Sequence, residues 1–149
     1  MSLECELPDS NPLDDEIKEL LQKAKTIAIV GISRKEERDS YKVAKYLKEH
    51  GYQIVPVNPV YDEVLGEKCY KSLSDIPFKI DIVDIFRRPD AIPPIVDEAI
   101  EIGAGAVWMQ LGLAHNESAK KAREAGLQVV QSKCIKIEHS KLLKESEKK

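Results

Sequence analysis

The chain has 149 residues, 42% hydrophobic and 33% charged, which fits one globular domain with a sizeable core and excludes a disordered chain. Its net charge of −3 excludes a global field that would draw in nucleic acid or an anionic membrane. The sequence holds no apolar run long enough to span a bilayer, and its acidic, polar start, MSLECELPDS, is unlike a signal peptide. Cys5, Cys69 and Cys134 are odd in number and widely spaced. That is neither a disulfide framework nor a zinc pattern, and it favours a reducing, cytoplasmic setting.

Residues 1–12 read as a tail, residues 13–143 as a single domain and residues 144–149 as a charged tail. After Asn11-Pro12 the apolar positions Ile17, Leu20, Leu21 and Ala24 follow helical spacing. Thr26 to Gly31 is a short apolar run ending in glycine, the pattern of a parallel strand buried on both faces. A loop from Ile32 to Asp39 leads into a helix over Ser40 to His50, closed by Gly51. Strands follow at Gln53 to Val57 and Asp81 to Phe86, with Cys69 and Tyr70 in a short edge element between them. Pro56 conflicts with an interior strand position, a conflict eased if the ladder is already ending there. Ile92, Ile95, Val96, Ala99 and Ile100 share one helix face, and Gly103 stops that helix. The fourth strand is Ala106 to Gln110, with Trp108 and Met109 as core residues. A helix over His115 to Ala125 ends at Gly126, and the fifth strand is Gln128 to Gln131. A last helix begins at Ile135.

Three helices that each stop at a glycine before a strand form a consistent α/β signature. The alternation predicts a Rossmann-like three-layer fold, with a five-stranded parallel sheet and helices on both faces. In such sheets ligands bind beyond the carboxyl ends of the strands, where the strand order reverses. That rule selects Gly31-Ile32-Ser33-Arg34-Lys35, Val57-Asn58-Pro59, Phe86-Arg87-Arg88-Pro89, Gln110-Leu111-Gly112 and Ser132-Lys133-Cys134. Arg38 and Lys42 lie just past the first of these. Their local positive charge points to an anionic ligand with several phosphates.

In the first loop, Gly31 lets the chain turn sharply and Ser33 offers a hydroxyl and an amide to phosphate. The helix N-terminus near Ser40 and Tyr41 adds free N–H groups. The loop is neither GxGxxG nor GxxxxGK[ST], so a simple turn with solvated charges is an equal alternative. At the end of the second strand an NAD site would place an acid on the ribose, but Val57-Asn58-Pro59 stands there, with no acid before Asp62. Val57 and Pro59 fit an apolar shelf beside an adenine or ribose and Asn58 can donate and accept; the alternative is a plain Asn-Pro turn. Phe86 can stack on a base, and a guanidinium matches phosphate geometry. One of Arg87 and Arg88 is expected to face the ligand, while the other can pair with Asp84 or Asp90.

The stretches Ile27 to Ser33, Tyr41 to Leu47, Gly51 to Pro59, Leu65 to Pro77, Asp81 to Pro89, Ala106 to Gly112 and Cys134 to His139 together resemble the CoA-binding domain family. That Rossmann-like family includes small stand-alone bacterial and archaeal proteins and is similar to the N-terminal domain of the succinyl-CoA synthetase α subunit. The resemblance implies coenzyme A as ligand, with Gly31, Ser33, Asn58, Pro59, Phe86, Arg87, Arg88, Gln110 and Gly112 near it. Arg34, Lys35, Tyr41, Lys42, Val57 and Cys134 complete the candidate set. Members of that family often carry an Asp before the basic residue and Cys of the last stretch, where this chain has Gln131-Ser132-Lys133.

The expected function is binding of CoA or acyl-CoA by a non-catalytic module, with no nucleic-acid or membrane partner; a homo-oligomer or a partner subunit stays open. The alternatives are an enzyme acting on a CoA thioester, disulfide exchange between CoA and Cys134, and an NAD-dependent oxidoreductase, which the missing acid disfavours. Cys134 reads first as a small buried hydrophobe. A ligase of the synthetase kind needs a phosphorylatable histidine and a second domain, and the chain ends where such a domain would begin. His50 reads as a helix C-cap, His115 opens a helix and His139 lies near the tail.

Overall fold

A computed structural model of the chain describes residues 7–147, the side chains of 144–147 excepted. Cys5, and the last part of the expected charged tail, lie outside the described residues. Five strands form the main sheet: β1 (Thr26–Val30), β2 (Gln53–Val57), β5 (Ile82–Ile85), β6 (Ala106–Met109) and β7 (Gln128–Val130). They are all parallel and run in the order β2-β1-β5-β6-β7. Their residues are almost all buried, because helices cover both faces.

Side-chain alternation assigns the layers. Ile27, Ile29, Ile82 and Trp108 point to one face, where α1 (Asp14–Lys23), α2 (Asp39–Glu49) and α5 (Ile135–Glu147) pack through Ile17, Leu21, Val43, Leu47 and Ile135. Ala28, Val30, Val83, Ile85 and Met109 point to the other, against Val96 and Ala99 of α3 (Ile92–Glu101) and Ala119 and Ala122 of α4 (Asn116–Glu124). The molecule is a Rossmann-like three-layer α/β fold, with Trp108 and Met109 fully buried as expected.

The differences from expectation have local causes. The β2 ladder does not end at Pro56: it runs on to Val57. The Gln53 N–H donates to the Lys25 carbonyl and the Gly31 N–H donates to that of Val57. Odd-numbered residues of β2 therefore bond β1, and the missing N–H of Pro56 falls on the outer side of an edge strand. There its carbonyl accepts from the Tyr70 N–H at 2.9 Å. Between β2 and β5 the chain forms a small hairpin, β3 (Glu63–Val64) with β4 (Glu67–Lys68), which the sequence pattern did not announce. The first tail is not loose over residues 7–12: the Asp9 N–H donates to Asn116 Oδ1, and Asn11 exchanges two hydrogen bonds with the Gln131 backbone. At the other end α5 continues through Glu147, past the expected start of a charged tail. His50 is the C-cap of α2 and His115 the N-cap of α4, its ring nitrogen accepting from the Ser118 N–H.

Candidate functional site

The strand order reverses between β1 and β5, since β1 leads out to β2 on one side and β5 leads on to β6 and β7 on the other. At the carboxyl ends of these strands lies a cleft of about 970 Å³, where an open parallel sheet places its ligands. Gly31 makes it possible. Its φ is +89°, and a Cβ added there would collide with the Phe86 carbonyl and stand 2.5 Å from Arg87 Cδ. The chain leaving β1 thus touches the chain leaving β5, and the aliphatic stem of Arg87 lies across the glycine.

Of the candidate residues, Gly31, Ser33, Lys42, Asn58, Phe86, Arg87, Arg88, Gln110 and Cys134 line this cleft. Six stand outside its walls. Val57 belongs to the core instead of forming a shelf, since its side chain faces the α3 and α4 layer. Pro59 is exposed with its carbonyl taken by Lys71 Nζ at 3.2 Å. The Arg34 guanidinium lies 5.6 Å over the Tyr61 ring, and Lys35 is exposed. Tyr41 packs against the core. Gly112 donates its N–H to Ser132 Oγ at 3.1 Å.

Several polar groups in the wall serve the wall itself. The Ser33 N–H donates to Ser40 Oγ at 2.9 Å, and Ser33 Oγ accepts from the Lys35 N–H at 3.0 Å. The Ser33 amide is therefore spent inside the loop, while each hydroxyl keeps a proton to donate. Asn58 donates from Nδ2 to the Ile32 carbonyl and accepts the Val60 N–H on Oδ1, both at 2.9 Å. It is the turn residue of the plainer alternative, and it pins the first loop to the second. The buried Gln110 accepts the Ile135 N–H through Oε1 at 3.1 Å, fixing the start of α5.

The charges gather on one part of the wall. Arg38, Lys42, Arg87, Arg88 and Lys136 line the cleft against two carboxylates, Glu37 and Asp39. Arg88 lies 3.8 Å from Asp90, a loose pair with both side chains exposed. Asp84 is not its partner: that carboxyl is fully buried in β5, and neither oxygen has a hydrogen-bond partner among the described residues. Burial alone pushes it well above the usual carboxylate range. Burial likewise raises the Cys69 thiol, which donates to the Asn58 carbonyl at 3.5 Å. The N-termini of α2 and α5 both open on the cleft through Ser40, Lys42, Lys136 and Ile137, adding two positive dipole ends.

Sequence reasoning missed Tyr61, Val43, Leu113 and Ile137 in the wall. Those are apolar or aromatic residues whose pattern matches any core position, so no charge or turn signal marks them. Cys134 is half-buried in the wall and not the fully buried hydrophobe of the first reading. His50, His115 and His139 do not line the cleft, and no cluster able to hold a metal ion occurs among the described residues. Nor is any described helix long and apolar enough to cross a membrane.

Comparison with known proteins fits this geometry. The model of a CoA binding domain matches residues 25–140. An uncharacterized protein, YneT, of Bacillus subtilis (strain 168) is 43% identical over 130 residues, which cover 87% of this chain and 96% of that protein. The solved structure of a hypothetical protein from Pyrococcus horikoshii OT3 is 48% identical with a TM-score of 0.87, covering 94% of this chain and 99% of that one. The ADP-forming acetate–CoA ligase of Methanocaldococcus jannaschii is 31% identical over 121 residues, 76% of this chain but 17% of the ligase. From the matched residues and the shared sheet, this chain belongs to the CoA binding domain family and is related to one part of that ligase.

Proposed function

We propose that the cleft binds coenzyme A or an acyl-CoA, as a binding module without turnover. The observation that carries this reading is the set of cations, Arg38, Lys42 and Arg87 foremost, gathered at the β1/β5 reversal of a chain whose net charge is −3. Arg38, Lys42 and Arg87 have no ion-pair partner among the described residues, so their charge is available to a phosphate-rich ligand. Phe86 lines the same cleft, and membership of the CoA binding domain family supports CoA over other phosphate-bearing nucleotides. The reading assigns the phosphates to the loop after β1, the start of α2 and Arg87. The pantetheine arm then runs past Gln110 toward Cys134. That no acid follows β2 before Asp62 speaks against NAD.

Calorimetric titration of the full chain with CoA, NAD and ATP tests the proposal. CoA is expected to bind tightest by at least about tenfold, a gap of about 1.4 kcal/mol. Tight binding of NAD with none of CoA would overturn it.

A further inference from the structure

The cleft has two chemically unlike ends. Arg38, Lys42, Arg87 and Arg88 stand by the ends of β1 and β5. By the ends of β6 and β7 the wall holds Leu111, Leu113, Cys134 and Ile137 beside the polar Gln110, on the loop after β6 and around the start of α5. Lys136 is the cation there, and its ammonium sits 5.5 Å over the Tyr46 ring. Leu111 is 66% exposed and Ile137 54% exposed, although the protein fully buries most of its large aliphatic side chains. Single exposed apolar residues need no explanation, but two on separate elements lining the same cleft put exposed apolar area into its wall. A ligand with phosphates at the cationic end presents its opposite end here. Free CoA ends in a small thiol and would leave most of this surface in water. A thioester carrying an aliphatic acyl chain would cover it.

From this juxtaposition we infer that the preferred ligand is a CoA thioester of an apolar acyl group longer than acetyl, its chain lying over Leu111 and Ile137. The inference rests on the CoA reading of the same cleft. No bond forms or breaks in it: the acyl group is held, and the discrimination comes from apolar area removed from water.

Titrating the full chain with CoA, acetyl-CoA, hexanoyl-CoA and succinyl-CoA tests it. Hexanoyl-CoA is expected to bind about tenfold tighter than CoA, since each buried methylene contributes several-fold and the site is open on one side. Acetyl-CoA falls between them, and succinyl-CoA, with a charged end over leucine and isoleucine, gains nothing over CoA. In the double variant Leu111→Ser with Ile137→Ser the hexanoyl-to-CoA affinity ratio is expected to fall to about one. Equal binding of CoA and hexanoyl-CoA by the unaltered chain would overturn the acyl inference and leave the CoA site standing, as would a ratio unchanged in the variant. Failure of CoA and all its thioesters to bind would overturn both.

Discussion

At the scale of single residues, Gly31 and Asp84 show how the site constrains the chain. Gly31 combines a φ of +89° with backbone contact to the Phe86 carbonyl. Any Cβ there meets a backbone oxygen held by the β1–β5 ladder, which cannot rotate aside. Gly31→Ala is expected to cost about 2 kcal/mol or more, the left-handed penalty plus displacement of Arg87. A urea midpoint equal to that of the unaltered chain would count against this close approach. Asp84 titrates in the opposite sense to a salt-bridged acid. Its carboxyl is pushed up in the folded chain by burial, so above the ordinary carboxylate value the folded state holds a proton that the unfolded state releases. Stability from this group is complete below that value and is lost as pH rises toward the raised one, by up to about 1.4 kcal/mol per pH unit. Asp84→Asn removes the titration. The stability of the unaltered chain relative to the variant is therefore expected to fall in paired urea titrations as pH rises above the ordinary carboxylate value; a gap that stays constant would exclude a buried, raised carboxyl. Neither feature was fully legible beforehand. The glycine announced a turn, but only the fold brings Phe86 against it, and Asp84 sat among apolar neighbours with two arginines close in sequence, neither of which hydrogen-bonds its carboxyl.

At the scale of elements, the helices and sheet strands were the most legible part, because burial on both faces writes apolar runs into β1, β5 and β6 and a periodic stripe into α3. The β3–β4 hairpin escaped because each strand has two residues, too short for an alternation to show. The tethered tail escaped for a different reason: its partners are more than a hundred positions away. Asn11 Nδ2 donates to the Gln131 carbonyl at 2.9 Å and Asn11 Oδ1 accepts the Gln131 N–H at 2.7 Å. One side chain thus closes both backbone groups of Gln131, just past the end of the edge strand β7, as a neighbouring strand would. Gln131 is itself buried, its amide accepting the His115 N–H at 2.8 Å and donating to Asn116 at 3.1 Å. Gln131 is thus a fastener between tail, α4 and β7. Asn11→Ala leaves two buried backbone groups unpaired and is expected to destabilise the fold by about 1–3 kcal/mol. Hydrogen exchange at the Gln131 amide should quicken at the same time. Unchanged protection of that amide would show that the tail does not hold the edge.

At the scale of the whole molecule, charge and topology act together. A parallel sheet with this strand order opens one crevice at its reversal point, and the loops after β1 and β5 both end there. That location was readable from alternation alone, and nine of the fifteen candidate residues do line the cleft. The six that do not line it lie near strand ends or, for Tyr41, at a helix start, a nearness in sequence that takes no account of the direction in which a side chain leaves the backbone. Val57 shows the error: it ends a strand on the correct side of the sheet, yet alternation turns it into the core. The charge distribution is likewise uneven, with the cleft positive in a chain of net charge −3. Salt separates the two contributions. Screening shortens from about 10 Å at 0.1 M to about 3 Å at 1 M ionic strength, so it weakens attraction to the cleft and repulsion from the acidic remainder alike. If direct contact with Arg87 dominates, CoA affinity falls several-fold between low and high salt, and Arg87→Ala both weakens binding, by about tenfold or more, and flattens that dependence. If the overall negative charge dominates, affinity rises with salt instead. The position of Arg87 over Gly31, in the wall of the crevice and without a carboxylate partner among the described residues, predicts the first result. Titrations of the unaltered chain and of Arg87→Ala across a salt series measure it, and an affinity that rises with salt in both would exclude a phosphate site built on that arginine.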